Sequence, residues 1–534
     1  MFLDANDLPE REPLTCDVCV VGAGPAGITV ALELAGSGAR VCVVEAGSHG
    51  YDAGAQALYE GEVEGDSYPL LRDTRFSAFG GSTQLWAGWC RLLDPIDFEV
   101  RSWVPGSGWP FGRDELLPHL ERAHELCGLA ESEYDPAYWA QRIPHAPLPV
   151  SDTDLTTSVF HVSPLQFGTA YRARLASLPD VEVVLRAPVL RFHVADASQR
   201  VDAVSVAAPD GRHRRVEARR FVLAAGGVEN ARILLLSGEA PERSLGNGHG
   251  LVGRYFTEHA FVNPGTFFPS DPSLAMGFYF PNPVAGGIPG AAVRGTFTMR
   301  REVLQRDRLL NAALFFRPAY EASATFSTPE VRELLEVWEK IRGRGVPGGS
   351  FRRALRAARA PGTLATAVWR KLRAASGEAA KWPLRSFFES APSLGNEIRL
   401  ARERDALGRP RAHVTWRIGE EDLRGVRRTF HVLDRGLRAA GLGHLELAFP
   451  DEAEAWRAAC EGGKHHMGTT RMHINPAQGV VDGDGRVHGV DNLWVAGSSV
   501  FPTVGYANPT LTIVTLAVRL GRHLRREVKA GGGS

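Results

Sequence analysis

The chain has 534 residues, of which 44% are hydrophobic and 23% are charged. This composition is typical of a folded globular protein, and the length predicts two domains or one large domain with a second embedded in it. The 61 basic and 61 acidic residues give a formal net charge of zero. This balance argues against a nucleic-acid-binding protein, since such proteins are usually basic.

The six cysteines do not form the dense pattern of a disulfide framework. Cys16 and Cys19 have C-x-x-C spacing, but they lie in a strand-like run, where residues three apart point to opposite faces. No second pair of cysteines or histidines lies near enough to complete a zinc site. We therefore expect buried, inert thiols and no metal.

The first residues are acidic and polar, without the basic and apolar regions of a secretory signal. No stretch approaches the ~20 apolar residues that a membrane span needs. These features predict a soluble, cytoplasmic protein without a membrane partner. Residues 531–534, with the sequence GGGS, resemble a linker and are left out of the fold prediction.

A glycine-rich turn follows the first buried strand. Residues 18–21 form a short apolar run, typical of a parallel strand buried on both faces. Apolar residues at helical spacing come after the turn, and residues 41–44 form a second apolar run that ends at Glu45. The turn has the pattern G-x-G-x-x-G, with its glycines at Gly22, Gly24 and Gly27.

Each part of this unit has a chemical reason in a dinucleotide site. Gly22 permits the tight turn, Gly24 lets the backbone approach a pyrophosphate, and Gly27 lets helix and strand pack closely. The helix N-terminus offers free N–H groups to phosphates. Glu45 is placed to accept hydrogen bonds from ribose hydroxyls. An adenine dinucleotide is therefore predicted here, but NAD(P) and FAD share this fingerprint.

Four further segments carry a resemblance to one family. Residues 79–110 begin with F-G-G-S-T, residues 221–237 repeat a strand–turn–helix pattern, residues 465–472 read H-x-x-G-T-x-x-M, and residues 508–512 read N-P-T-L-T. In this order they resemble the segments of glucose–methanol–choline (GMC) oxidoreductases. The closest motifs are those of the pyranose oxidase and bacterial sugar or glycoside oxidoreductase branch.

The resemblance implies an α/β fold with two parts. A Rossmann-like FAD-binding domain would comprise residues 1–260 and 475–530. A second, α+β substrate domain, residues 261–474, would be built on a mostly antiparallel sheet. This sheet would include residues 396–401 and 413–417.

Two helical segments are expected within the substrate domain. Residues 421–440 have the pattern of an amphipathic helix. A basic helical insert is expected at about 330–390, with the charge concentrated in residues 342–385. This charge fits either a solvated surface or a docking face for a partner, an oligomer or an anionic group.

The resemblance also implies where FAD is bound. In pyranose oxidases a histidine of the G-G-S segment is linked covalently to the flavin, and Leu85 stands at that position here. Leucine cannot form the link, so the FAD is expected to be non-covalent. The implied contacts, besides those of the first turn, are Gly81, Ser82, Ala87, Val189, Ala225, Gly497, Ser498, Pro509 and Thr510.

The resemblance implies two catalytic residues, His465 and Asn508. Histidine suits the role of base because its ordinary pKa lies near neutrality. The amide of Asn508 can donate a hydrogen bond to the substrate oxygen. Two alternatives stay open: His466 faces the flavin or both histidines are structural, and Asn508 is a plain helix cap before Pro509.

The predicted function is oxidation of an alcohol carbon, on a sugar or glycoside, to a carbonyl. His465 would take the hydroxyl proton while FAD accepts the hydride. Reoxidation by O₂ would make the enzyme an oxidase, and use of another acceptor would make it a dehydrogenase. Two other functions stay open, a redox-silent lyase on the same fold and a binding protein that retains FAD without catalysis.

Overall fold

The computed structural model describes residues 1–10, 12–194, 200–285, 287–317, 381–449 and 452–531. Within these ranges the strands form a mainly parallel sheet, a mainly antiparallel sheet and a small third sheet. The first sheet carries helices in the order expected of a Rossmann-like domain. This arrangement confirms the predicted α/β class with a second, antiparallel part.

The mainly parallel sheet is built around Leu14–Val21. This strand pairs in parallel with Val41–Val44 on one side and with His213–Leu223 on the other. Residues 18–21 are fully buried because the strand is covered on both faces and both edges. The order of the strands from one edge is Phe2–Asp4, Val181–Leu185, Val41–Val44, Leu14–Val21, His213–Leu223, Val201–Ala207 and Val189–Val194, with Leu493–Val495 also paired to His213–Leu223.

Helices from opposite ends of the sequence pack together beside this sheet. Pro25–Leu34 follows the first strand and packs against Thr510–Gly531. A Cβ atom on Gly521 would lie 2.6 Å from the Cβ of Glu33, so only glycine permits this approach. The last helix is thereby held next to the first glycine turn.

Within the described residues, the mainly antiparallel sheet has ten strands. It takes two strands from the sequence before residue 261, so a boundary at residue 260 does not separate the two sheets. In order, its strands are Gly443–Leu447, Gly265–Pro269, Trp382–Phe388, Ala312–Phe316, Ala292–Met299, Leu155–Val162 and Trp89–Cys90, with Ala260–Val262, Glu461–Gly462 and Asn282–Pro283 paired beside them.

The third sheet corrects one prediction. Glu397–Arg404 and Pro410–Trp416 are strands, as predicted, but they do not belong to the antiparallel sheet. They form a three-stranded sheet with Gly61–Gly65, which pairs in parallel with Pro410–Trp416. An alternating pattern predicts a strand but does not indicate which strand it pairs with. Here the partner Gly61–Gly65 is distant in sequence.

Glu420–Ala439 confirms the predicted amphipathic helix. Its buried face includes Leu423, Val426, Phe430, Leu433 and Leu437, at spacings of three and four residues. Most of the expected basic helical insert, residues 330–380, lies outside the described residues. Its described end, Trp382–Phe388, is a strand instead of a helix, because its phenylalanines enter the antiparallel sheet.

Among the described residues, the α-helices that connect the other elements have at most ten residues. All six cysteines are free and buried. In the described part of the chain, no helix has the length and apolar character to cross a bilayer, and no three metal-ligating side chains are grouped. The connecting helices are Ala53–Ala57, Pro95–Phe98, Leu117–Leu126, Pro136–Ala140, Phe167–Ala176, Gly227–Leu236, Arg301–Asp307 and Ala453–Ala459.

Candidate active site

Two glycines of the first turn are required by packing. Gly22 has a φ of +101°, and a Cβ atom there would lie 2.6 Å from the carbonyl oxygen of Ala224. A Cβ atom on Gly27 would lie 1.9 Å from the carbonyl oxygen of Gly22. A side chain at Gly22 would collide with the Ala224 backbone, and one at Gly27 would push the helix away from the strand.

Gly24 differs from its two neighbours because it borders open space. A Cβ atom there would meet no atom within 4 Å. Gly24 is the N-cap of Pro25–Leu34, so the free N–H groups of this helix open onto the same space. The backbone and the positive end of the helix therefore fit the pyrophosphate of FAD, and a side chain at Gly24 would occupy that place.

A cavity of about 580 Å³ extends from this turn to the start of the helix Thr510–Gly531. Gly27 is the one predicted cofactor residue that does not line it, in agreement with its packing role. The predicted residues that line the cavity are Gly22, Gly24, Glu45, Gly81, Ser82, Ala87, Val189, Ala225, Gly497, Ser498, Pro509 and Thr510 for the cofactor, and His465 and Asn508 for catalysis.

Glu45 lies at the cavity wall and is 6% exposed. Its two carboxylate oxygens accept hydrogen bonds from the backbone N–H groups of Ala23 and Gly47, each at 2.8 Å. Burial raises the pKa of the carboxyl group, while these N–H groups oppose the change. Glu45 therefore fixes the glycine turn and keeps further lone pairs for a ribose hydroxyl.

The second half of the cofactor cradle comes from the end of the chain. Gly497 has a φ of +116°, and the Ser498 hydroxyl donates to the carbonyl of His466 at 2.7 Å. Thr510–Gly531 begins directly after Pro509, and its first residues line the cavity. The positive end of this long helix therefore faces the cavity and favours negative charge there.

Asn508 contacts His465 across this end of the cavity. The side-chain nitrogen of Asn508 lies 3.3 Å from Nε2 of His465. The Asn508 Oδ1 is buried and has no hydrogen-bond partner within the described residues. These contacts are not those of a capping side chain, whose oxygen would accept from the first N–H groups of the helix.

A second histidine, His259, determines which nitrogen of His465 carries the proton. His259 Nε2 lies 3.0 Å from the Gly505 carbonyl, which can only accept, so Nε2 carries the hydrogen. Neutral His259 then accepts at Nδ1, which lies 2.8 Å from Nδ1 of His465. The hydrogen-bond network thus assigns the proton of His465 to Nδ1 and leaves a lone pair on Nε2, facing Asn508.

His466 also lines the cavity, but its ring has a different environment. It packs beside Tyr68 and Phe256, with ring centroids 6.3 and 6.0 Å away. Its Nε2 is buried without a hydrogen-bond partner among the described residues, and burial lowers its pKa to about 3. Of the two histidines, only His465 is linked to Asn508 by a hydrogen bond.

Burial keeps His465 neutral. Burial is the largest cause that holds the pKa of His465 well below its ordinary value, followed by electrostatic effects of His259, His466 and Arg385. Glu258 contacts the backbone of His465, and burial raises the pKa of the Glu258 carboxyl group to about 8. Its oxygens accept from Tyr68 at 2.7 Å and from the backbone of His465.

Sequence reasoning missed His259, Glu258 and Tyr68. No motif or spacing connects residue 259 with residue 465, which are 206 positions apart. They meet because Ala260–Val262 pairs with Glu461–Gly462, placing the residues beside these two strands together. This pairing, and not a local pattern, builds the environment of His465.

Aromatic side chains of the antiparallel sheet form the wall opposite the first turn. Phe261 and Phe387 are stacked with ring centroids 4.3 Å apart, and Trp89 lies 5.7 Å from Phe387. All three line the cavity. The cavity is therefore a cleft between the two large sheets, with glycine turns on one side and aromatic rings on the other.

Two family models match the chain. One, described as "FAD dependent oxidoreductase", covers residues 17–288, slightly more than half of the chain. The other, described as "GMC oxidoreductase", covers residues 392–517. These two ranges contain both glycine turns of the cradle together with His259, His465 and Asn508.

Individual proteins agree with this match. The chain is 26% identical to paromamine 6'-oxidase of Streptomyces fradiae, over 94% of this chain and 90% of that protein. It is 33% identical to C-glycoside 3-oxidase of Arthrobacter globiformis over 26% of each chain. Its fold is similar to that of pyridoxine 4-oxidase from "Mesorbium loti", with a TM-score of 0.58, 16% identity, and coverage of 96% and 99%.

The fold, the cofactor cradle and these matches agree with one another. A glycine turn before a helix suits NAD(P) and FAD equally, but the matched models are those of FAD enzymes. The residues present fit that cofactor at both ends of the cavity. The chain belongs to the FAD-dependent oxidoreductases of the GMC family.

Proposed function

We propose that this enzyme oxidises an alcohol carbon of a sugar or glycoside to a carbonyl, with His465 as the base. One observation carries the proposal. His465 is neutral, its Nε2 bears the lone pair, and this nitrogen lies 3.3 Å from the Asn508 amide on the cavity wall. A proton acceptor and a hydrogen-bond donor thus face the same small space.

The chemistry divides between the cofactor and the chain. FAD, when bound, supplies the acceptor for the hydride that leaves the carbon. His465 Nε2 takes the hydroxyl proton, and the Asn508 N–H donates to the oxygen as negative charge develops on it. The carbon thereby loses one hydride and its oxygen one proton, which leaves a carbonyl.

The substrate class rests on the cavity wall and on the relatives. Two relatives are named for oxidation of paromamine and of a C-glycoside. Stacked Phe261 and Phe387 give the cavity a flat apolar surface next to polar groups. Such a wall suits a ring with C–H faces and hydroxyl edges.

We also propose that FAD is held without a covalent bond. Leu85 lines the cavity and is 69% exposed, and its side chain has no atom that can bond covalently to a flavin.

The electron acceptor is to be identified by comparing reoxidation of the reduced enzyme by O₂ and by a quinone or dye. Rapid reoxidation by O₂ indicates an oxidase.

The test of the base is flavin reduction in single turnovers. Under anaerobic conditions, sugars, glycosides and simple alcohols are mixed with the holoenzyme, and bleaching of the flavin is followed by stopped flow. His465→Ala is expected to slow reduction by about 10²–10⁴-fold, because it removes the proton acceptor. The same change at exposed His249 is the control and should leave the rate unaltered.

Two results would contradict the proposal. Equal rates for His465→Ala and the unchanged enzyme would exclude His465 as the base. Conversion of a substrate without any bleaching of the flavin would indicate a redox-silent reaction on this fold.

A further inference from the structure

Arg385 places a positive charge on the cavity wall. It lies in Trp382–Phe388, and its guanidinium carbon is 4.7 Å from the ring centroid of Phe261. Within the described residues it forms no hydrogen bond or ion pair, and its Nε is buried without a partner. Glu461 attracts it electrostatically but is not within ion-pair distance. Burial lowers the pKa of Arg385 to about 10, so the group is still cationic at neutral pH.

Among the described residues, the acids that line the cavity do not balance this charge. Glu45 accepts from two backbone N–H groups. Glu229 forms an ion pair with Arg75 at 2.6 Å. Asp73 is half-exposed and faces a surface arginine. Arg317 also lines the cavity, and its charge contributes to the lowered pKa of Arg385.

A cation withdrawn from water without a counter-charge is costly, and the cost falls when a ligand supplies the counter-charge. A guanidinium presents N–H groups in a planar fork that fits the oxygens of a carboxylate or phosphate. We propose that the natural substrate is an anionic sugar, whose carboxylate or phosphate group pairs with Arg385 while one of its hydroxyls lies at His465. This inference rests on the proposed function, since it assigns the substrate of the same site.

The placement of Phe261 sets the size of such a substrate. The Arg385 guanidinium lies over its ring, and the His465 ring lies 5.9 Å away in an edge-to-face arrangement. The anion site and the base therefore border one phenyl ring, a separation that a single sugar unit spans. The charged group is consequently the anchor, and a hydroxyl elsewhere on the sugar is the reacting group.

Four probes that differ mainly in charge test the inference on the holoenzyme. They are methyl glucuronide, glucose 6-phosphate, methyl glucoside and glucosamine. The dissociation constant of each is taken from the concentration dependence of anaerobic flavin reduction, and that of methyl glucuronide is also measured by calorimetry. An anionic probe is expected to bind at least about tenfold more tightly than methyl glucoside, and glucosamine most weakly. The tighter of the two anionic probes identifies the group as carboxylate or phosphate.

Variants connect this preference to Arg385. Arg385→Gln should weaken binding of the anionic probe by about tenfold or more and change methyl glucoside by less than about threefold. Arg385→Lys keeps the charge and should retain part of the preference. Arg219→Gln removes an arginine that is 75% exposed and lies outside this cavity, and should behave like the unchanged enzyme.

The outcomes separate the two proposals. If methyl glucoside reduces the flavin with an affinity equal to that of the anionic probes, and Arg385→Gln changes nothing, the anion site is excluded and the proposed function stands. If no probe reduces the flavin but methyl glucuronide binds through Arg385, the anion site stands and the proposed function falls. If methyl glucuronide neither binds nor reduces the flavin, and glucose 6-phosphate also fails, the inference is overturned.

Discussion

The Gly505 carbonyl determines the protonation of an imidazole that it does not touch. It accepts the hydrogen of His259 Nε2, so His259 must accept at Nδ1 from His465. The lone pair of His465 then lies on Nε2, next to Asn508. Without His259, either nitrogen of His465 can carry the hydrogen, and only one of these tautomers is a base toward the substrate. His259 is thus a positioning residue.

Replacement of His259 tests this arrangement. His259→Leu removes the acceptor for His465 Nδ1–H and is expected to slow flavin reduction by about tenfold or more. His259→Asn keeps an acceptor oxygen near the Nδ1 position and should restore much of the rate. A merely structural role would not distinguish the two variants at equal FAD content, so equal rates would contradict the assignment.

The pH profile is the second measurement on these variants. The pKa of His465 is held well below its ordinary 6.5, and the base acts only when deprotonated. The reduction rate of the unchanged enzyme should therefore be flat from about pH 8 down to 6.5 and fall only at lower pH. His259 is one cause of the lowered pKa, so His259→Leu should move the fall toward neutral pH.

Some residues of the site were predictable from the sequence and others were not, for a physical reason. His465 and Asn508 stand in motifs that carry a family resemblance, so their positions were predictable. His259 directly precedes Ala260–Val262 and Arg385 lies in Trp382–Phe388. Strand pairing brings His259 to His465 and Arg385 to the cavity wall. Pairing between distant strands leaves no local signal in one sequence.

At the scale of the element, the first glycine turn separates binding from folding. Gly24 has an extended backbone, with φ −78° and ψ −173°, which other residues adopt without strain. Its missing Cβ faces the cavity, whereas the missing Cβ of Gly27 faces the Gly22 carbonyl at 1.9 Å. The two glycines are three residues apart and serve different purposes.

Substitution at each glycine should therefore have a different effect. Gly24→Val is expected to weaken FAD binding by about tenfold or more, because the side chain enters the pyrophosphate space, and to leave the thermal stability of the FAD-free protein nearly unchanged. Gly27→Ala should lower that stability, because helix and strand must separate. FAD titration and thermal unfolding of the FAD-free proteins measure both. A large loss of stability in Gly24→Val would contradict this division.

Predictions of single elements were more successful than predictions of their partners. The strand at residues 18–21, the strand at 41–44 and the helix Glu420–Ala439 follow from local apolar patterns. The strands Glu397–Arg404 and Pro410–Trp416 were also predicted, yet they belong to the third sheet. Burial patterns reveal which face of a strand is covered, but register and neighbours depend on the whole fold.

At the scale of the whole molecule, the cofactor cradle joins distant parts of the chain. Its first half comes from residues 22–45 and its second half from residues 497–510. The antiparallel sheet supplies the aromatic wall and Arg385. FAD is therefore expected to be bound by non-covalent contacts alone, because Leu85 cannot form a covalent bond to the flavin.

Unfolding should accordingly release the cofactor intact. When the holoenzyme is precipitated by acid or heat, nearly one mole of FAD per mole of protein is expected in the supernatant. Free FAD added to a parallel sample measures recovery. A precipitate that stays yellow and fluorescent after washing would show a covalent flavin and contradict the role assigned to Leu85.

The contact between Pro25–Leu34 and Thr510–Gly531 has a consequence for biogenesis. The glycine turn is translated well before the helix that packs on it through Gly521 and Glu33. A nascent chain thus holds half a cradle until residues 497–531 have been synthesised. Flavin is then expected to bind only after that point, and cells starved of riboflavin should accumulate apoprotein.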